Sequence, residues 1–449
     1  MAAMPTPTDP AADADVLIVG AGPAGLALAT ALADAGLRPW LLEQQALAAV
    51  AEPAEDGRDI ALTHRARDVM HALGQWARLP ADCMAPLQQA AVLDGNTAGH
   101  STGPLRFASG QGEPLGWLVP NHCIRRAAYE AALARPAVRL RCEARVTALD
   151  RSGPLARVSL ADGSTLHAPL VVAADSRFSG TRRLAGIGAA MRDFGRSVVV
   201  GRVQHERDHQ ATAWECFGYD NTLALLPMNG RQCSAVVTVP SDQAPAWLAL
   251  DDAAFAARIH GQSGGRLGAL QAAGPRHHYP LVGVYAQQFV AERFALLGDA
   301  AVGMHPVTAH GWNFGLYGVQ VLARQLAAAH RAGRDIGQLA VLQPYEAEHR
   351  RVTRPVYLGT NAIVGLFTDA RGPARLARRA VLGAAEHVPP LAAVIKTAIT
   401  AQLTGRPPAF GPLTPLPPLP PLPPLPALPA WARALRDRAA GRLFSGPRR

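Results

Sequence analysis

The sequence predicts an α/β fold: a Rossmann-like dinucleotide-binding unit interleaved with a β-sheet unit and followed by a helical C-terminal region. Three observations carry this reading. The apolar, β-branched run Val16-Leu17-Ile18-Val19 leads directly into Gly20-Ala21-Gly22-Pro23-Ala24-Gly25, and then into residues 26–32, whose composition is helical. Far downstream a second apolar run, Phe294-Ala295-Leu296-Leu297, ends in another glycine-acid turn, Gly298-Asp299. Between them, residues 197–239 change to short alternating runs punctuated by turn residues, the pattern of a sheet.

Taken in order, residues 1–14 are rich in Pro, Ala and Asp and lack a basic stretch leading into an apolar one. They are expected to form a disordered lead rather than a signal peptide. Gly20 permits the tight turn after the first strand, Gly22 lets a pyrophosphate approach the backbone, and Gly25 allows close helix–strand packing. The helix N-terminus offers unpaired N–H groups to phosphate, which makes Gly20, Gly22, Ala24 and Gly25 candidate cofactor contacts. The run Pro39-Trp40-Leu41-Leu42 ends in Glu43, about twenty residues on, where a carboxylate accepts hydrogen bonds from a ribose diol.

That half of a site is common to NAD and FAD, and the later motif decides for FAD. Asp299 is placed to bond a polyol chain such as ribitol. The stretch from Pro306 to Gly311 then forms a turn whose backbone donors face the flavin. Asn313 opens a long helix whose N-terminal dipole stabilises negative charge on a reduced ring. Tightly but noncovalently bound FAD is the expectation.

Elsewhere, residues 61–77 read as a helix, 138–149 and 156–167 as strands, and 169–174 as the strand that delivers Asp175. Residues 198–203, 214–217, 223–227 and 233–239 read as strands of a sheet packed as a lid over the flavin, offering an apolar wall to an aromatic substrate. Residues 407–429 are dominated by Pro-Leu-Pro-Pro repeats and should be extended polyproline II, ahead of a short Arg-rich helix at 431–443.

These residues resemble those of the group A flavoprotein aromatic hydroxylases, and within them the ubiquinone-biosynthesis hydroxylases, over about residues 14–400. Gly20, Gly22, Gly25 and Glu43 match the family's adenosine fingerprint. Asp175 with Ser179 and Arg182 matches its middle motif, which in the family touches both FAD and the incoming nicotinamide. Gly298-Asp299 with Pro306, Gly311 and Asn313 matches its third. Asp56-Gly57-Arg58 resembles the segment whose Arg lies near the flavin, and Val119-Pro120-Asn121 opens a helix carrying Arg125, a further candidate cofactor contact. The sequence departs from the pattern at Ser176, where Gly is usual, at Ala309-His310, where Gly-Gln is usual, and at Gly318, where an Asp often stands. Ser accepts a positive φ less readily than Gly, which bears on the nicotinamide contact. The segment from His305 to Gly311 resembles the demethoxyubiquinol hydroxylase subgroup.

The resemblance implies an FAD-binding Rossmann-like (glutathione-reductase-type) domain in three parts, at residues 15–75, 111–182 and 286–330. Substrate-domain segments fill 76–110 and 183–285, C-terminal helices 331–405, and the Pro-rich tail 406–449. It implies a monooxygenase that uses NAD(P)H, bound transiently, and O₂ through a flavin hydroperoxide to hydroxylate a prenylated quinol or phenol. Removal of a phenolic proton activates such a ring, and His310 and His305 are the candidate catalytic bases, each with an alternative role as a structural donor. A hydroxylase of a soluble phenol, and a non-catalytic flavoprotein subunit of a quinone-biosynthesis assembly, remain as alternatives. A flavin halogenase does not fit, since the only lysine is Lys396 and the Trp-x-Trp-x-Ile-Pro segment is absent. An NAD-dependent dehydrogenase would not need the motif around Asp299.

The 449 residues, 49% hydrophobic, suffice for a large core in two or three domains. The net charge of +10 comes from 44 basic residues, 43 of them arginine, without an aromatic-interleaved basic cluster, so no nucleic acid is expected as a partner. Arg350, Arg351, Arg354, Arg371, Arg375, Arg378 and Arg379 concentrate late. On a helix the last three share a face able to rest on an anionic bilayer, or simply to be solvated. Five cysteines without metal spacing suggest free buried thiols in a reducing cytoplasm. No apolar run reaches transmembrane length, so the expectation is a cytoplasmic protein, with peripheral contact on the inner face of the membrane as the open alternative.

Overall fold

In the computed structural model, which describes residues 11–94, 104–108, 112–218, 221–304 and 311–368, the first strand is the centre of a six-stranded sheet. Its order is Val290–Ala291, Phe294–Leu296, Leu170–Ala173, Val16–Val19, Pro39–Leu42, Arg139–Arg141. All neighbours run parallel except Val290–Ala291, which turns back on Phe294–Leu296. Parallel strands need crossovers that cover both faces, and the central strands are accordingly apolar throughout: VLIV and LVVA are buried at every position. The helix Pro23–Asp34 packs against Pro39–Leu42, the helix Asn121–Leu133 and the long helix Gly311–Arg331.

The second layer is an eight-stranded sheet, ordered Val302–Gly303, Leu270–Ala286, Ala189–His205, Gln232–Pro240, Thr222–Pro227, Thr212–Phe217, Gln89–Asp94, Leu105–Ala108. Its two faces differ. Val199, Val203, Leu223, Leu225, Ala235 and Val237 are fully buried beneath Trp247, Phe255 and Ile259 of two short helices. The other face carries Val198, Val200 and Leu281, with Phe194, Val236 and Tyr279 packed beside them.

Three local expectations need correction. Residues 59–62 form the strand Asp59–Leu62, and the helix begins only at His64, because the Thr63 side chain accepts the Ala66 N–H and caps it there. The runs 138–149 and 156–167 are each broken by a turn, giving Arg139–Arg141, Val146–Asp150, Ala156–Leu160 and Thr165–Ala168. Cys83 and Cys123 form a disulfide, since the turn at Ala81–Cys83 lies against the start of the helix Asn121–Leu133; Cys142, Cys216 and Cys233 are free. The segment at 371–379 and the Pro-rich tail lie outside the described residues.

Gly318, at the position where the resemblance leads one to expect an Asp, makes room for a buried histidine. A Cβ there would lie 2.9 Å from Cε1 of His349 and 3.2 Å from Leu297. His349 is enclosed by Phe289, Tyr317 and Tyr345, and its Nδ1 lies 3.2 Å from the Tyr345 hydroxyl, which itself donates to the Leu296 carbonyl. Burial outweighs a backbone hydrogen bond at Phe314 and pushes this imidazole down to about 4 from its ordinary 6.5. Between those values the unfolded chain takes up a proton that the folded chain refuses. The stabilisation is therefore complete above pH 6.5 and is lost as pH falls toward 4, an effect of roughly 3 kcal/mol. Urea unfolding as a function of pH should show this slope, and His349→Gln should flatten it by one proton.

Candidate active site

The sheet order brings four distant pieces of sequence to one edge. Glu43 follows Leu42, Gly20 follows Val19, Asp175 follows the strand ending at Ala173, and Gly298 follows the strand ending at Leu296; these four strands are neighbours. Backbone hydrogen bonds fix the ends in register. Gly20 N–H donates to Leu42 O and Ala174 N–H to Val19 O, both at 2.8 Å, and Leu297 N–H donates to Ala173 O at 2.9 Å. The crevice beyond the carboxyl ends of parallel strands is where such sheets bind ligands.

The glycines do what the first motif requires. Gly20 has φ +104°, and a Cβ on it would sit 2.6 Å from Ala174 O; a Cβ on Gly25 would sit 2.0 Å from Gly20 O. At Gly22 a Cβ would meet nothing within 4 Å, so the bare backbone there faces open space. Gly22 is also the N-cap of Pro23–Asp34 and supplies no side-chain cap, which leaves the helix N-terminus for an anion. The Glu43 carboxylate accepts from Ala21 N–H at 2.8 Å and from Gln45 N–H at 2.9 Å. This fixes its position and leaves lone pairs for a diol. Gly298, at φ +60°, lies against Ala24, so the first and third motifs touch. An open glycine backbone, an uncapped helix start and a fixed carboxylate fit the adenosine diphosphate half of FAD.

The middle motif is built into the third. Asp175 accepts from Ser179 Oγ at 2.5 Å and from Thr181 N–H at 3.0 Å, closing the loop before the helix Gly180–Leu184. Ser176, where Gly is usual, adopts φ +75°, so the left-handed turn is kept at the cost of strain. Arg177 donates to Asp299 Oδ2 at 3.0 Å and to the Val282 carbonyl at 3.2 Å. Arg182 is buried and donates to Ala300 O at 2.8 Å.

The Arg58 segment is clamped between the two sheets. Arg58 pairs with Asp56 at 2.5 Å and lies over the Tyr279 ring, while the Tyr279 hydroxyl donates to the Asp56 carbonyl. Burial of Asp56 opposes ionisation, but hydrogen bonds from Arg58 and Asn121 outweigh it and hold the carboxyl below its ordinary range. Asn313 reaches across from the long helix: its Oδ1 accepts Thr63 N–H at 3.0 Å and its Nδ2 donates to Ala61 O at 2.8 Å. Its side chain thus aligns the helix that begins at Gly311 with the strand that follows Arg58. Arg125 is partly buried and donates to the carbonyl of Ala49, in the short helix Leu47–Ala51 that follows Glu43, at 3.3 Å. His305, Pro306 and His310 lie outside the described residues.

Sequence reasoning missed the ion pairs that hold the two units together. Arg202 on the second sheet reaches Glu55 at 2.8 Å and Asp59 at 3.4 Å, and the Asp59 side chain, fully buried, has its carboxyl pushed up by burial against the pull of Arg202. Arg177, passed over between Ser176 and Ser179, was legible only as one more arginine.

A family model described as an FAD binding domain matches residues 13–358. The ubiquinone hydroxylase UbiM of Neisseria meningitidis is 44% identical over 397 residues, covering 87% of this chain and 84% of its own length. The ubiquinone hydroxylase UbiL of Rhodospirillum rubrum is 39% identical, with 84% and 87% covered. The 3-demethoxyubiquinol 3-hydroxylase of Escherichia coli is 29% identical, with 83% and 95% covered. PqsL of Pseudomonas aeruginosa shares the fold, with a TM-score of 0.68 at 22% identity over 80% of this chain and 97% of that one. The chain belongs to the FAD-dependent hydroxylases of ubiquinone biosynthesis. As a member of that family it is an FAD-dependent monooxygenase, with NAD(P)H as its transient reductant.

Two sets of variants test the geometry of this hydroxylase. Gly25→Ala forces a methyl group against a carbonyl and should cost the fold, whereas Gly22→Ala should leave the melting temperature of the flavin-free protein unchanged and lower FAD occupancy. Asp299→Ala should weaken FAD retention about 5- to 150-fold, the loss of a hydrogen bond of about 1–3 kcal/mol. Flavin absorbance after gel filtration reads both, and undiminished occupancy in Asp299→Ala would remove Asp299 from the site.

Proposed function

We propose that this hydroxylase acts on the ring of a prenylated ubiquinol precursor, at the position still lacking its methoxy oxygen. FAD is held by the first-motif glycines with Ala24, by Glu43 and Asp299, and by the helix start from Gly311 to Asn313, with Arg58 and Asp175 at its margin. Bound FAD supplies the oxygen-activating chemistry and NAD(P)H the electrons. The protein binds the cofactor, orients the ring and excludes water. The observation that carries the reading is the near full-length relationship to UbiM, combined with three motifs gathered at one sheet edge. The 3-demethoxyubiquinol hydroxylase relative supports the ring position.

The second sheet supports the substrate class, because its inner face is lined by Val198, Val200, Val236 and Leu281. A prenyl tail contributes apolar burial of roughly 25 cal/mol per Å², which a bare phenol lacks. Such a substrate lives in a bilayer, so the reading includes a peripheral membrane contact. Among the described residues no helix is long and apolar enough to cross a membrane.

Complementation of a strain lacking demethoxyubiquinol hydroxylase should restore ubiquinone, read by chromatography of extracted quinones. Absence of ubiquinone with a folded, FAD-loaded protein, and in strains lacking the other ring hydroxylases too, would replace this reading with a soluble phenol hydroxylase.

A further inference from the structure

Glu215 is a carboxylate in an unusual place. It lies on the interior strand Thr212–Phe217 of the eight-stranded sheet, paired in register with Ala224 on one side and Val92 on the other. Ala224 pairs with Val236, Val236 with Val200, and Val200 with His277. Residues in one row of a sheet share a face, so Glu215 is on the side of Val200 and Val236. That is the side on which Tyr279 and His277 meet the Arg58 segment: Tyr279 bonds the Asp56 carbonyl and His277 lies against Gly57. Glu215 is therefore on the face of the sheet that meets the cofactor-binding unit at Tyr279 and His277, and not on the closed core face.

The surface it belongs to is open. Ala213, Glu215, Ala224, Leu226 and Val236 each keep accessible surface, while the alternate residues Leu223, Leu225, Ala235 and Val237 on the opposite face are fully buried. These partly accessible residues lie on three adjoining interior strands, on the face that carries His277 and Tyr279. In the row of Glu215 the adjoining side chains, Ala224 and Val236, are apolar.

Among the described residues Glu215 has neither a hydrogen-bond nor an ion-pair partner. The cations nearest in sequence register are committed elsewhere: Arg106 and Arg266 lie over the Trp214 ring, which as Glu215's neighbour along the strand projects to the other face. On its own face its strand neighbours are Ala213 and Phe217. The adjoining strands place Ala224 and Val92 beside it, Leu226, Thr222 and Ala90 in the flanking rows, and Asp94 in register with Phe217. None of these is cationic. A carboxylate without a partner among the described residues, set on a largely enclosed sheet face, is costly to keep.

We propose that Glu215 accepts the proton of the substrate's ring hydroxyl. The proposal rests on the reading of this chain as a phenol or quinol hydroxylase. The ring lies against Ala224 and Val236 with its hydroxyl toward the carboxylate. The phenolic O–H bond breaks, its electron pair stays on the ring oxygen, and the proton forms a new O–H bond on Glu215. The carboxyl group returns that proton to water when product leaves. The resulting phenolate is electron-rich, which is the state an electrophilic hydroxylation needs. Burial pushes the Glu215 carboxyl up to about 7, which suits a base operating near neutral pH.

The test uses FAD-loaded full-length protein and a short-tailed prenylated demethoxyubiquinol as probe. Wild type should hydroxylate the probe with a rate that rises through pH 7 and then levels. Glu215→Gln should keep its FAD and its reduction by NAD(P)H, but lose product formation about 100-fold and lose the acidic limb. Glu215→Asp should retain part of the rate with the limb displaced, and it decides the matter should the Gln variant lose its FAD. An unchanged rate and limb in the Glu215 variants would overturn the proposal, as would loss of the limb in His310→Gln alone. Failure of wild type to hydroxylate any prenylated or soluble phenol would instead overturn the reading beneath it.

Discussion

The rest of the site depends on the register of four parallel strands. Their backbone hydrogen bonds set the ends of Val16–Val19, Pro39–Leu42, Leu170–Ala173 and Phe294–Leu296 level with one another, and every candidate contact to the adenosine and ribitol portions projects from those ends. Because these strands are almost wholly buried, a slip of one pair would displace an apolar residue at one end and leave backbone groups unpaired at the other. The positions of Gly20, Glu43, Asp175 and Gly298 are therefore fixed by core packing. The ligand contacts themselves need contribute little to that precision.

The second constraint is how the eight-stranded sheet is held against this edge. One of its faces is sealed by its own helices, and the other meets the cofactor unit through few but specific contacts: Tyr279 to Asp56, Arg202 to Glu55 and Asp59, Arg177 to Val282. Charged and polar links of this kind give orientation more than stability. An apolar seam would have closed the space between the sheets, whereas these links hold the sheets together at the Arg58 segment and leave the interior strands beyond it partly accessible.

Much of this was readable in the residues. The strand-turn-helix at Val16 to Leu32 and the acids at positions 43 and 299 are local signals with a mechanism, and the fold brings them to the carboxyl ends of neighbouring parallel strands. The long strands Ala189–His205 and Leu270–Ala286 were not readable at full length, because Gly195, Gly201, Gly274, Pro275 and Pro280 punctuate them and register shifts interrupt their pairing. The strand Asp59–Leu62 was hidden because Ala61 and Leu62 are good helix formers, and only pairing with Gly116–Pro120 makes it a strand. Arg177, Arg202 and the bond between Cys83 and Cys123 join residues remote in sequence, and no local pattern announces them.

The bridge from Asn313 to the backbone at Thr63 spans 250 residues of chain. The central sheet likewise stays incomplete until Phe294–Leu296 arrives to pair with Leu170–Ala173. During synthesis the N-terminal half thus emerges with an apolar sheet edge uncovered and the turn at Thr63 unsecured. Closure waits until most of the chain has left the ribosome. The cofactor-binding unit is in this sense a late product of translation, so an N-terminal fragment carrying the glycine motif alone is not a portable nucleotide-binding module. Until closure the uncovered edge is open to wrong pairing, and a ligand that binds only the finished arrangement, as flavin would, stabilises it by mass action.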